Sequence, residues 1–187
     1  VMADLVTLLL TRIKPAGEVE TFASNEQDVQ AGEEVRVTTE DAAMLLVRFE
    51  NGARGTVTLS QASAGHKNHL WWEVNGSKAS MYWEQEDPNQ LWIGHREAPN
   101  QQLTKDPGLM DSCVRSLTGY PGGHAEGYPD TFVMFFKQFY QAVQSGSLPE
   151  TSRFATFEDG HREMLLCKAL ALSAKENRWV NVSEVND

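Results

Sequence analysis

Two short phrases gather most of the side chains able to do chemistry. Residues 119–130, GYPGGHAEGYPD, set His124, Glu126 and Tyr128 among four glycines and two prolines. That backbone takes little regular structure, while the three side chains can exchange protons or hydrogen-bond hydroxyls. The stretch is read as one wall of a polar site. A second phrase, SQASAGHKNH, places His66 and Lys67 after Ala64-Gly65 at the end of a strand. Strand ends at the rim of a sheet are where side chains reach a ligand, with a solvated rim as the alternative. His69 and His95 fall on strand positions and His161 in the first turns of a helix, so these three are assigned structural roles.

Several chemistries are excluded. The sequence contains no GxGxxG, P-loop, GxSxG or HExxH, and no His/Cys cluster at metal-ligand spacing, so neither cofactor-binding nor metal-binding residues are assigned within the chain. Cys113 and Cys167 match no CxxC pattern, and reduced thiols in a cytoplasmic protein are expected. The apolar run Val1 to Leu10 is broken by Asp4 and is too short to span a bilayer, and it lacks the basic flank of a signal peptide. No membrane association is expected. Lys and Arg number 16 against 26 acids, a net charge of -10, which argues against holding nucleic acid through its phosphates. Residues 17–41 alone carry eight acids and the single base Arg36, and are read as a solvated acidic connection.

The elements that must position these residues follow from periodicity. Residues 1–12 read as an amphipathic helix with Met2, Leu5, Val6 and Leu9 on one stripe, beginning without a cap as though inside an element. Val19, Thr21 and Ala23 alternate as a strand. Asn51-Gly52 and Asn75-Gly76 each suit a two-residue hairpin turn. The first would set Leu46 opposite Val57 and Met44 opposite Leu59; the second would set Glu73 opposite Lys78, with Leu70, Trp72 and Val74 sharing a face with Met81. Residues 90–95 and 101–104 supply further strands. Phe132, Phe135, Phe136, Phe139 and Val143 fall at helical spacing behind Asp130 as N-cap, and read as core. A second helix opens at Thr156 and runs to about Asn177, and 178–182 reads as a closing strand.

The fold class is therefore α+β: an open, mostly antiparallel sheet of about six strands with helices on one face. The strand at 43–49 is apolar on both faces, so a second cover is needed. A second copy of the sheet across a symmetry axis would provide it, making that face an oligomer interface, with residues 105–127 as the alternative cover.

Several phrases, taken in order, carry a resemblance: EDAAMLLVRFENGARGTVTLS, AGHKNHLWWEVNGSKASMYWEQEDPNQLWIG, GGHAEGYPDTF and FATFEDGHREMLLCKALALSAKENRWVNV. Together they resemble the C-terminal domain of the glucose-fructose oxidoreductase, inositol dehydrogenase and MocA family, over nearly the whole chain. The resemblance implies that residues 1–187 are a single substrate-binding and oligomerisation domain whose N-terminal Rossmann partner is absent from this chain. It implies a dehydrogenase using NAD or NADP in the complete protein, with none expected on this chain alone. The implied substrate is a sugar, cyclitol or related alcohol, and the implied assembly a homodimer or homotetramer through the sheet face. By resemblance His124, Glu126, Tyr128, His66 and Lys67 would line the sugar pocket. Asp4 resembles the Asp of the family's H-x-x-D helix motif, whose His position falls on Val1, so the catalytic residue of this domain is unassigned. The other reading is a stand-alone dimerisation or small-molecule binding module without catalysis.

Overall fold

A computed structural model describes residues 1–16, 32–147 and 154–185, and the expected strand around Val19, Thr21 and Ala23 lies outside them. The strands are β1 (Met2–Val6), β2 (Thr11–Lys14), β3 (Glu33–Arg36), β4 (Ala42–Arg48), β5 (Arg54–Ser60), β6 (Trp71–Asn75), β7 (Ala79–Glu84), β8 (Gln90–His95) and β9 (Gln101–Thr104). The helices are α1 (Ser112–Arg115), α2 (Tyr128–Ser145) and α3 (Phe157–Glu176), with 3-10 turns at Pro107–Leu109 and Val182–Glu184. This is the α+β class expected. The strands described form three antiparallel sheets, β1-β4-β5, β2-β3 and β6-β7-β8-β9, in place of one sheet of about six. Two compact units contain them: Val1–Ala64 with Phe157–Asp187, and Gly65–Thr156.

In the first unit the expected N-terminal helix is a strand. Residues 2–6 pair with β4, Ala3 against Leu45 and Leu5 against Ala43, and those four side chains share one face. On that face Ala3, Ala43 and Leu45 are buried, with Leu5, Leu170 and Ala174 packed against them. Small residues at 3 and 43 let α3 approach closely, and burying Leu45 contributes roughly 1.5–3 kcal/mol. Pairing of alternate residues with a strand already in place outweighs the helical spacing of Met2, Leu5, Val6 and Leu9. β1 is an edge strand, so its outward N–H groups need partners. Ser173 of α3, fully buried, accepts from the Ala3 N–H at 3.0 Å and donates to the Arg178 carbonyl at 2.6 Å. Residues 178–182 add no strand; Val180 instead donates one bond to the Val1 carbonyl at 2.9 Å, and Asn181 caps the turn that follows.

The β4–β5 hairpin is shifted by one residue from the expected register: Leu46 faces Thr56, Leu45 faces Val57 and Ala43 faces Leu59. Glu50 and Asn51 occupy the turn, closed by Gly52 N–H to the Phe49 carbonyl, and Gly52 follows at φ 91° as the bulge residue of a three-residue loop. Asn51 holds that loop by accepting from Ala53 N–H at 3.0 Å. β4 keeps its two-sided apolar character: Leu45 points toward α3, while Met44 and Leu46 on the opposite face are 42% and 46% exposed. That face carries a shallow cavity of about 360 Å³ lined by Met2, Asp4, Met44, Leu46, Thr56 and Thr58 among others.

In the second unit β6 is an edge strand whose partner β7 sets Val74 opposite Met81, Trp72 opposite Trp83 and Glu73 opposite Tyr82. The turn is Ser77-Lys78, closed by Gly76 N–H to the Ala79 carbonyl, in place of Asn75-Gly76. The stacked indoles of Trp72 and Trp83, 6.2 Å apart, and Trp71 against Tyr82 at 5.9 Å explain the choice. Such aromatic pairs outweigh the one Glu73–Lys78 charge pair that the other register offers. Leu70, Trp72 and Val74 still share a face with Met81, because the shift is even. α2 starts earlier than expected, with Gly127 as N-cap and Asp130 at the third helical position, where its carboxylate accepts from Gly127 N–H at 2.8 Å. Its phenylalanine stripe is half exposed, not core: within the helix Phe135 and Phe139 stack on one another, with Phe154 edge-on to both. Among the described residues no helix is long and apolar enough to cross a membrane.

Asp41 ties the start of β4 to the chain leaving β1. Its carboxylate accepts from Leu8 N–H at 2.7 Å and Leu9 N–H at 2.9 Å, with the Arg12 guanidinium at 3.9 Å. Those two backbone bonds hold its pKa below the ordinary carboxylate value; burial opposes them and Arg12 adds to them. A lowered folded pKa contributes stability above the unfolded value, about 3.9, which is lost as pH falls through the folded value. Urea unfolding of wild type should therefore weaken more between pH 5 and pH 2.5 than that of Asp41→Asn. Equal losses in the two proteins would contradict this account.

Candidate functional site

The second unit holds His66, Lys67, His124, Glu126 and Tyr128, whereas Asp4 belongs to β1 of the first. Asp4 pairs with Met44, and in a strand residues three apart point to opposite faces. Asp4 therefore lies on a strand, where the H-x-x-D resemblance expects a helix.

The loop before α2 is built around Glu126. Pro121, Gly122, Gly123 and His124 form a tight turn closed by His124 N–H to the Pro121 carbonyl at 3.3 Å. Gly123 has φ 82°, a conformation that a side chain at the third turn position resists. Asn89, in the connection between β7 and β8, clamps the Glu126 backbone from both sides: its amide donates to the carbonyl at 2.8 Å and its oxygen accepts from the N–H at 2.9 Å. Both carboxylate oxygens of Glu126 are engaged, one by Gly119 N–H and the other by the Lys105 ammonium. Lys105 follows β9 and also donates to the Tyr120 carbonyl at 3.3 Å. The two charged side chains are only 11% and 13% exposed. Burial pushes the Glu126 carboxyl up, but the Lys105 bond, the Gly119 N–H and the Lys105 charge outweigh it and leave the pKa below its ordinary value.

Both carboxylate oxygens of Glu126 are therefore committed to its own surroundings. His124 remains exposed, with Nδ1 at 3.4 Å from the Gly122 carbonyl, and Tyr128 is 60% exposed at the start of α2 with its ring edge-on to Phe132 at 5.0 Å. These two side chains present an imidazole and a phenol to whatever approaches the loop.

His66 and Lys67 lie in the connection from β5 to β6, and the structure gives them different company. Lys67 is exposed. The His66 ring stacks on His69 at 4.1 Å and 12°, and its Nδ1 is 3.7 Å from a Glu86 carboxylate oxygen. His69 precedes β6 and is not a strand residue; its Nε2 is 4.0 Å from Glu84, which accepts from the Tyr82 hydroxyl. Among the described residues no hydrogen bond, ion pair or ring contact joins the His66 group to His124 or Tyr128. Sequence reasoning missed Asn89, Lys105 and Glu86, which lie in unremarkable turn phrases, and it did not group His66 with His69, which the fold brings together with Glu86.

A family model described as "Oxidoreductase family, C-terminal alpha/beta domain" matches residues 4–182. The chain belongs to this family, that of glucose-fructose oxidoreductase, inositol dehydrogenase and MocA. It is 26% identical over 153 residues to levoglucosan dehydrogenase of Pseudarthrobacter phenanthrenivorans, covering 80% of this chain and 38% of the relative. An inositol dehydrogenase homolog from Azotobacter vinelandii, solved with NAD+, is 28% identical with a TM-score of 0.70 and covers 76% of this chain and 38% of that one. Levoglucosan dehydrogenase solved with NADH and L-sorbose shares the fold at a TM-score of 0.77 and 24% identity, covering 97% of this chain and 44% of that one. The chain thus spans less than half the length of these relatives.

Replacing Glu126 by Gln keeps the size of the side chain but leaves the partly buried Lys105 without its counter-charge. The variant should lose about 1–3 kcal/mol of unfolding free energy by urea denaturation. A loss below a few tenths would show that the loop is held without the pair.

Proposed function

We propose that this chain is the substrate-binding and oligomerisation half of an NAD(P)-dependent dehydrogenase acting on a sugar, cyclitol or related alcohol, working in the cytoplasm and inactive when separated from the rest of the protein. The family supports oxidoreduction, and the named relatives support the substrate class. The observation in the chain itself that carries the reading is the clamped loop. Glu126 and Lys105 neutralise each other at its base, so the loop offers His124 and Tyr128 as hydrogen-bonding groups without a fixed charge of the pair facing outward. Hydroxyl-rich substrates are recognised by such groups, each able to donate and to accept.

The described residues do not fit a dinucleotide. Every strand pairing among them is antiparallel, and none of their turns leads from a parallel strand through a glycine-rich loop into a helix, the geometry that cradles a pyrophosphate. The cofactor of the proposed reaction is assigned to the remainder of the protein. This chain's share is to bind hydroxyls and fix the carbinol carbon in position, which matters because orientation alone contributes several kcal/mol to such reactions. Lys67 and His66, in the connection from β5 to β6, extend the same role.

In the complete protein, His124→Ala should lower kcat/KM for the best sugar or cyclitol substrate by about tenfold or more, ~1.4 kcal/mol, mainly through KM. An unchanged kcat/KM would remove His124 from the pocket.

The oligomer part of the proposal rests on the open face of β1-β4-β5, where Met44 and Leu46 stand exposed opposite the face that α3 covers. Covering it with a second copy answers the two-sided apolar character of β4. Light scattering should give the mass of a dimer or tetramer, and Leu46→Glu should move it toward the monomer. A monomeric wild type at 0.1 mM, roughly the concentration where even weak dimers populate, would overturn it.

A further inference from the structure

We propose that His66, His69 and Glu86 form a binding site for a divalent first-row transition metal of the zinc type. One ligand atom from each, two imidazole nitrogens and a carboxylate oxygen, lies within 4.8 Å of the other two. Two imidazoles and a carboxylate are a donor set that Zn²⁺ takes readily, with room for water at the fourth position, whereas Mg²⁺ and Ca²⁺ prefer oxygen alone. A bound ion needs its ligand atoms at about 2.0–2.2 Å, so these side chains must close by roughly 1 Å. The groups that would move are free to do so: the side chains of His66 and Glu86 are 57% and 42% exposed.

The arrangement already brings the donor groups together. Two histidine rings lie nearly parallel at 4.1 Å, and His66 Nδ1 is 3.7 Å from a Glu86 carboxylate oxygen, within ion-pair range but longer than a hydrogen bond. Glu84 stands 4.0 Å from His69 Nε2 and is itself held by the Tyr82 hydroxyl. It supplies a second negative charge beside the site and a group able to orient a ligand imidazole. The His66-x-x-His69 pair comes from the β5–β6 connection, and Glu86 from the β7–β8 connection, so the ion would fasten one to the other. The β7–β8 connection also carries Asn89, the clamp on the Glu126 loop. Metal binding would therefore tie the loop bearing Lys67 to the support of the loop bearing His124. The site shares His66 with the proposed sugar pocket but does not rest on that reading, since its test involves no substrate.

Titrating the metal-free chain with Zn²⁺ by isothermal calorimetry should reveal one equivalent bound at micromolar or tighter affinity. His66→Ala, His69→Ala and Glu86→Gln should each weaken it by about tenfold or more, while His161→Ala leaves it unchanged. Circular dichroism of each variant separates lost ligation from lost folding, and His66→Ala and Glu86→Gln alter exposed side chains that the fold tolerates. With Co²⁺ in place of Zn²⁺, a strong visible d–d band should appear in the wild type and vanish in His66→Ala. Absence of binding at millimolar Zn²⁺ would overturn the proposal. So would affinity that survives the His66→Ala/His69→Ala double variant, or that disappears only when Cys113 and Cys167 are replaced by Ser.

Discussion

The first unit depends on β4 being apolar on both of its faces. A strand with Ala43 and Leu45 on one side and Met44 and Leu46 on the other cannot be satisfied by one helix, whichever way it is turned. α3 covers the Ala43 side, and its approach selects small residues at 3 and 43 and a serine at 173. The serine matters because the edge strand β1 would otherwise bury an unpaired N–H, a loss comparable to the gain from a buried methyl group or two. β1 is thus drawn into strand form by β4 from one side and by α3 from the other.

The second unit is organised by charge and amide pairing rather than by a deep apolar core. Most of β6 and the phenylalanine face of α2 are exposed, and the unit's irregular stretch is fixed by Asn89, Lys105 and Glu126. An ion pair as shielded as Lys105–Glu126 gains little net energy over an apolar replacement, because desolvation offsets attraction. It joins the loop at two points, since Glu126 has both Gly119 and Lys105 as partners. Glycine and proline leave this stretch without helix or strand ladders, and side-chain bonds to the backbone take their place.

Much of this was legible in the sequence, and the failures have physical causes. β4, β5, β8, β9 and α3 fall where periodicity puts them, since their patterns reflect burial by neighbours. The two Asn-Gly hairpins illustrate the limit. Asn51-Gly52 announces a turn, but the dipeptide serves a two-residue loop or a bulged three-residue loop equally well, and the one-residue difference exchanges which β5 side chains accompany Leu45. At Asn75-Gly76 the error was larger in residues yet harmless to the faces, because an even shift preserves alternation. Cross-strand stacking of Trp72 on Trp83 decided it, an interaction between positions that no local pattern links. The helix expected at 1–12 failed for the same reason: its partner strand lies forty residues away.

For the site, residue types were legible and roles were not. Spacing picked out His124, Glu126 and Tyr128 together, but chemistry separates them by what each side chain has left to give. Glu126 has spent both oxygens on its own loop, whereas the His124 ring and the Tyr128 hydroxyl remain outward. A carboxylate aimed at the ligand would favour cations or demand a proton; one sequestered behind a lysine leaves an imidazole and a phenol in front. Under the proposed function that difference would suit polyhydroxylated, uncharged substrates over anions, because discrimination among hydroxyls comes from paired donor and acceptor geometry and not from net charge. In the proposed reading, the carboxylate that the sequence offers as a binding group serves the loop by holding it, and not by touching the substrate.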